Sequence, residues 1–189
     1  MEAIETKKIG KYKIDIFPDQ MMESPDEWEN EDAFVVYDHP RYFSVKRKGF
    51  EPQDIWNHLQ SGKKMYDGHF VFPLYAYIHS GIVLSVGSHN FPDARWDVSM
   101  RGFVVVKRQK GSYTNDKALE LAKGITEEWN QYLSGDVYGY SITDTDTEEN
   151  LDSCWGYYGL ENCMKEAESI VEYQMGKDKH GQLELELKE

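Results

Sequence analysis

Residues 132–161 read YLSGDVYGYSITDTDTEENLDSCWGYYGLE, and this stretch decides the fold class. Residues 137–143 read as a strand, 144–152 as an acidic turn, and 153–157 as the antiparallel return. A helix follows over 160–175. Its Leu160, Cys163, Met164, Ala167, Ile170, Val171 and Met175 recur at three and four residues and face inward. A hairpin running straight into an amphipathic helix is an α+β arrangement.

Working upstream, residues 114–133 form the longest expected helix, with Leu119, Ala122, Ile125, Trp129 and Leu133 as its apolar stripe. Gly124 inside it costs about 1 kcal/mol against Ala and points to a close packing contact. Residues 102–108 read as a strand whose three valines place it centrally. FVFPLYAYI (70–78) and IVLSV (82–86) form a hairpin turned at His79-Ser80-Gly81. EPQDIWNHLQ (51–60) has Pro52 near a helix start, Ile55, Trp56 and Leu59 on one face, and Gly62 as its stop. AFVVY (33–37) and KYKIDIF (11–17) are strands, 42–50 and 89–100 are loops, and 176–189 is a polar, mobile tail. The fold class is therefore α+β: one domain over 1–175, mainly antiparallel, with two or three helices packed largely on one face. Trp129, Trp155, Val104, Val106, Leu133 and Ile170 are expected to be buried around one sheet. Cys154 and Cys163 are expected as buried thiols.

At 189 residues the chain can bury roughly 70% of its unfolded surface, so it needs neither disulfide nor metal to hold together. Its apolar runs are too short to span a bilayer, and the N-terminus lacks the apolar segment of a signal peptide. Two cysteines in a chain of this size point to a reducing cytoplasm. The net charge of −13 repels nucleic acid and anionic lipid. The expected partners exclude direct nucleic-acid binding and membrane association; a basic protein surface fits, and self-association stays open.

The acidic charge is concentrated. Asp19, Glu23, Asp26, Glu27, Glu29, Glu31 and Asp32 surround Trp28 with no Lys or Arg among them. In DTDTEENLD, Asp144, Asp146, Glu148, Asn150 and Asp152 alternate like the start of a calcium loop. Glu149 stands at the sixth position instead of Gly and Trp155 at the twelfth instead of Glu, so a solvated turn is expected and no metal or other cofactor. The six histidines have no metal-ligand spacing; His79, in its turn, is the one candidate site residue among them. GxSxG, P-loop, HExxH and CxxC signatures are all missing, so no catalytic residue is assigned. The minority basic residues, Lys46, Arg47 and Lys48 together with Arg95, Arg101, Lys107, Arg108 and Lys110, are candidates for an anion or nucleotide pocket with Trp96 and Tyr113. Ordinary salt bridges on an acidic surface are the plain alternative.

Five segments, ESPDEWEN (23–30), FPLYAYIHSGI (72–82), RWDVSMRGFVVV (95–106), YLSGDVYGYSI (132–142) and LDSCWGYYGLE (151–161), resemble an uncharacterised family of small accessory proteins from phages and mobile elements of Gram-positive bacteria. The resemblance covers about residues 11–173 and is weaker at 35–43 and 89–96. It implies an accessory protein acting in the bacterial cytoplasm. By analogy with other such proteins, it implies a non-enzymatic inhibitor of host defence, some of which imitate the phosphate backbone with carboxylates. On that reading Glu23, Asp26, Glu27, Trp28, Glu29, Asp144, Asp146, Glu148 and Glu149 would face a basic nuclease or defence effector. The alternative is a small-molecule or nucleotide-binding protein that sequesters a signal, with His79, Arg95, Trp96, Arg101, Tyr138 and Tyr140 around an aromatic pocket.

Overall fold

A computed structural model describes residues 1–27, 32–39, 41–63, 65–91, 97–109 and 114–186, with side chains up to Asp178. In chain order the elements begin with β1 (Glu5–Ile9), β2 (Tyr12–Pro18), β3 (Ala33–Asp38), β4 (Ser44–Val45) and α1 (Pro52–Gln60). Next come β5 (Met65–Tyr66), β6 (His69–Ile78), β7 (Ile82–Val86) and β8 (Val98–Lys107). The chain ends with α2 (Asn115–Ser134), β9 (Val137–Asp144), β10 (Asn150–Tyr158) and α3 (Leu160–Glu186). The class is α+β and the pairing antiparallel, as expected, but the strands form two sheets rather than one. Two compact units hold them: Met1–Glu23 with Gly135–Glu189, and Ser24–Ser134 between.

The first unit is a four-stranded sheet in the order β1-β2-β9-β10. Along β2, Tyr12, Ile14 and Ile16 are buried while Lys13, Asp15 and Phe17 point the other way. This is the period-two alternation of a sheet covered on one face. The cover is α3, whose Cys163, Ala167 and Val171, four residues apart, pack on Tyr140 and Ile142 of β9. The reverse face carries the Lys13–Asp15 ion pair at 2.8 Å and a partly exposed aromatic pair, Phe17 and Trp155, with ring centroids 6.0 Å apart.

Trp155 was expected in the core and is instead 45% exposed; Cys154 beside it is exposed too. The cause is local. β10 is an edge strand with a bulge between Cys154 and Tyr157, and Gly156 sits at φ 86°, in the left-handed region. The bulge interrupts simple alternation, so Trp155 lies over the bare backbone of Gly139, which has no room for a side chain beneath the indole. β1 was not expected at all, because ETKKI is charged and exposed. It pairs with β2 through backbone bonds that its polar side chains do not advertise.

α3 is the longest helix, at 27 residues, and continues to Glu186 through the segment expected as a mobile tail. Lys11 ties that extension down. Its ammonium lies 2.9 Å from Asp144 and 3.1 Å from Asp178, and the Tyr12 hydroxyl donates to Asp178 at 2.6 Å.

The second unit holds the sheet order β4-β3-β8-β6-β5, with β7 also paired to β6. Here both faces are covered. α2 supplies Ala118, Ala122, Ile125 and Trp129 against Val35, Leu74, Val104 and Val106. On the reverse face α1 supplies Ile55 against Val36, Val71, Phe103 and Val105. β8 is central, and every residue from Phe103 to Val106 is buried, the unbroken apolar run that a doubly covered strand requires. Of the six expected core residues, Trp129, Val104, Val106 and Leu133 belong to this core. Ile170 packs in the other unit and Trp155 in neither interior.

Candidate functional site

The chain carries 21 basic residues against 34 acidic ones, so a place where cations gather without acidic partners stands out. One exists in the second unit. Lys46, Arg47 and Lys48 follow directly from β4, and residues 51–53 open α1. Together with Met100, Arg101, Gly102 and Phe103 of β8 they line a cavity of about 750 Å³. Phe50 and Trp56 add aromatic surface to its wall. Two carboxylates, Asp38 and Glu51, face four cations there. Among the described residues none of those cations makes an ion pair.

Each member of this wall has a local cause. The Arg47 guanidinium sits over the Phe34 ring, 4.9 Å from its centroid, which orients the basic run by a cation–π contact. Phe50 meets Phe34 edge-on at 5.1 Å and anchors the run to the α1 face of the sheet. Pro52 opens α1, as expected, and Glu51 provides no side-chain cap, so the helix begins with its positive end at the cavity. Arg101 owes its position to a bulge. Leu74 pairs with Gly102 and the next residue, Tyr75, pairs with Met100, so Arg101 is left out of the ladder. Gly102 allows β3 to come close: any side chain there would collide with the Val36 carbonyl oxygen and the Tyr37 backbone.

Tyr37 lies at the base of the wall. It is fully buried, its ring stacks on Phe43 at 4.3 Å, and its hydroxyl has no hydrogen-bond partner among the described residues. Burial pushes its phenol up to about 12, with the nearby Arg101 charge pulling the other way. Trp56 is 39% exposed. It was expected to face inward with Ile55 and Leu59; Ile55 fills that role, and Trp56, one step round the helix, turns to the cavity mouth. A cavity with cations, an exposed indole and an apolar floor has the chemistry to hold a small anion that carries a flat ring.

The other sequence candidates scatter. His79 lies in its turn, exposed, with Nδ1 3.7 Å from Asp97. Tyr140 is buried under α3 in the first unit and donates to Asp152 at 3.0 Å, and Tyr138 packs beside it. Both rings pack in that unit's core. Arg95 and Trp96, and Lys110 and Tyr113, lie outside the described residues. Lys107 and Arg108 lie past the last cavity residue of β8.

Of the acidic candidates, Glu23 and Glu27 are exposed. Asp26 accepts a hydrogen bond from Ser24. Trp28 and Glu29 lie outside the described residues. Asp144 is buried and engaged by Lys11, which does not suit the surface role expected for it. Its carboxyl is held below the ordinary range by the hydrogen bond from Lys11 and by the Asp146 backbone N–H. Asp146, Glu148 and Glu149 are exposed. Cys163 is buried and its thiol is pushed up to about 12 by that burial.

No protein-family model, curated protein or solved structure matches the chain.

Proposed function

We propose that this protein is a non-enzymatic binding protein that captures a small anionic molecule of the nucleotide class in the cavity between the basic run and β8. One observation carries the reading: Lys46, Arg47, Lys48 and Arg101 converge on a single cavity beside Trp56, with no ion-pair partner among the described residues. In a chain of net charge −13, four cations that share a cavity with two carboxylates and pair with neither are better explained by a ligand than by surface pairing. Trp56 and Phe50 offer a stacking surface for a base, and the guanidinium and ammonium groups suit phosphate oxygens. On the resemblance described above, the setting is a phage or mobile-element accessory gene, where capture would withdraw a signal from the host.

The test is a fluorescence titration of the wild type and Trp56→Phe with 5′-AMP and with adenosine. Saturable quenching by 5′-AMP, much weaker with adenosine and lost in Trp56→Phe, is the expected result. Equal responses to the two, or none at millimolar 5′-AMP, would sink the reading.

A second reading is favoured by a separate observation. Glu27, Asp146, Glu148 and Glu149 are exposed and make no ion pair among the described residues. Such carboxylates suit a protein inhibitor that docks on a basic host nuclease or defence effector. Capture of a host protein at about 0.05 M salt that is released at about 0.5 M would support it, and capture indifferent to salt would count against it.

A further inference from the structure

β3 pairs with β8 only from Ala33↔Val106 to Tyr37↔Gly102. β8 continues beyond that point, paired on its other side to β6 as far as Val98. The edge of β8 from Arg101 to Val98 therefore has no strand beside it among the described residues. The chain after β3 turns there instead, with the His39 N–H bonded to the Phe43 carbonyl. A second cavity of about 390 Å³ opens at this edge, lined by His39, Arg41, Asp97, Ser99 and Arg101 among others. Arg101 lines both cavities. Its bulge is what makes that possible, since a residue inside the regular ladder would present its side chain to one face only.

The second cavity has donors of its own. His39 Nδ1 accepts the Arg41 backbone N–H at 3.3 Å, which in the neutral ring leaves Nε2 as the N–H donor. Arg41 and Arg101 supply two guanidinium groups and Ser99 a hydroxyl. Burial, with the charges of Arg101 and Arg41 adding to it, holds the His39 ring below its ordinary value, so both cations act on one small space. The opposing carboxylates are Asp97, also near His79, and Asp38, which accepts a hydrogen bond from Ser44. The β8 residues lining the two cavities, 100–103 for the larger and 98, 99 and 101 for the smaller, are offset by two residues, or roughly 7 Å at about 3.3 Å per residue.

We infer that the ligand carries two phosphoryl groups separated by a ribose, one held by the basic run and one by Arg41, with Arg101 between them. This rests on the nucleotide reading above. Arg101 suits the bridging place, because its planar fork offers five donors and can serve two anions at once. Trp56 lies in the larger cavity, so the base stacks there and the second phosphate points toward His39.

The test is calorimetric titration of wild type and Arg41→Ala with 5′-AMP and with adenosine 3′,5′-bisphosphate. Arg41 is exposed, so its loss should leave the fold intact, which circular dichroism checks. The bisphosphate should bind wild type at least about tenfold more tightly than 5′-AMP, the gain expected from one added charge-assisted contact. In Arg41→Ala that ratio should fall close to one. Equal affinities in the wild type would overturn the two-phosphate inference and leave the single-phosphate reading standing. A ratio that survives in Arg41→Ala would overturn the assignment of the second phosphate. Failure of both nucleotides to bind wild type would overturn the inference and the nucleotide reading together.

Discussion

Lys11 and Arg101 belong to different units and illustrate two uses of a cation in an acidic chain. Lys11 lies between Asp144 and Asp178, and its charge is consumed in fastening α3 to the β2 end of the first sheet. Arg101, with Lys46, Arg47 and Lys48, lines a cavity and makes no ion pair among the described residues. The sheets differ in parallel. The first is covered by helix on one face and alternates polar with apolar residues; the second is covered on both faces, and its central strand is apolar and buried without a break from Phe103 to Val106. The unpaired cations collect at the edge of the second sheet where β3 stops and β8 goes on. The lesson is that charge pairing separates structural cations from available ones better than charge counting does.

The largest expected effect tests the covered and uncovered faces. Trp129→Ala should cost about 3–5 kcal/mol, because the indole is 3% exposed and stacks on Phe43 at 5.5 Å. Trp155→Ala should cost under about 1 kcal/mol, as a half-exposed ring on an open sheet face. Chemical denaturation of the two variants measures both, and similar losses would erase the distinction between the faces.

Next comes the distinction between the cations. The double variant Lys46→Glu, Lys48→Glu should weaken 5′-AMP binding by about 1.5–3 kcal/mol and leave the melting temperature within a degree or two of wild type. Lys11→Met should do the reverse: lower the melting temperature and leave 5′-AMP affinity unchanged. A variant that moved both readouts would show that the cations are not divided in this way.

A smaller effect follows from pH. Asp144 is held low by Lys11, and Asp178 by the Tyr12 hydroxyl and then by Lys11. A carboxyl whose folded value lies below its unfolded value stabilises the fold above about pH 4, and that contribution is lost as pH falls through the folded value. The difference in melting temperature between wild type and Lys11→Met should therefore be full at pH 7 and shrink below about pH 4. At the alkaline end the Lys11 ammonium is raised by the same carboxylates, so its contribution is complete below about pH 10.4 and fades only above that. A gap that stayed constant down to pH 2 would mean that Lys11 acts through its methylenes rather than its charge.

Much of the fold was legible because local signals were strong. β2, β3, the β6–β7 hairpin, the central β8, α1 and α2 follow from alternation, valine runs and Pro-start, Gly-stop punctuation. Two sheets were read as one because nothing local says which of ten strands are neighbours. The edge strand β1 was missed because four of its five residues are exposed and only Ile9 packs partly against the core. Trp155 was misplaced because a bulge at Gly156 breaks the register that a strand pattern assumes. The helical run past Met175 rests on one long-range cluster, Lys11, Tyr12, Asp144 and Asp178, spanning 167 positions of sequence from first to last.

The site was half legible. The run Lys46, Arg47, Lys48 and Arg101 were candidates for an anion pocket, and they do share one cavity. The aromatic partners named for that pocket, Trp96 and Tyr113, lie outside the described residues, and Trp56, which lines the cavity, was assigned to a helix face. A signal was available: a basic run that ends three residues before Glu51 delivers its charges to the start of a helix. The bulge at Arg101 had no such signal, because it arises from pairing between strands.

The measurement that tests the central claim most directly is amide chemical-shift mapping of the isotope-labelled protein during titration with 5′-AMP. The expected result is saturable shifts concentrated at residues 46–53 and 100–103, with the acidic turn at 144–150 unmoved. Shifts confined to that turn, or none at millimolar 5′-AMP, would contradict the assignment of this cavity as the binding site.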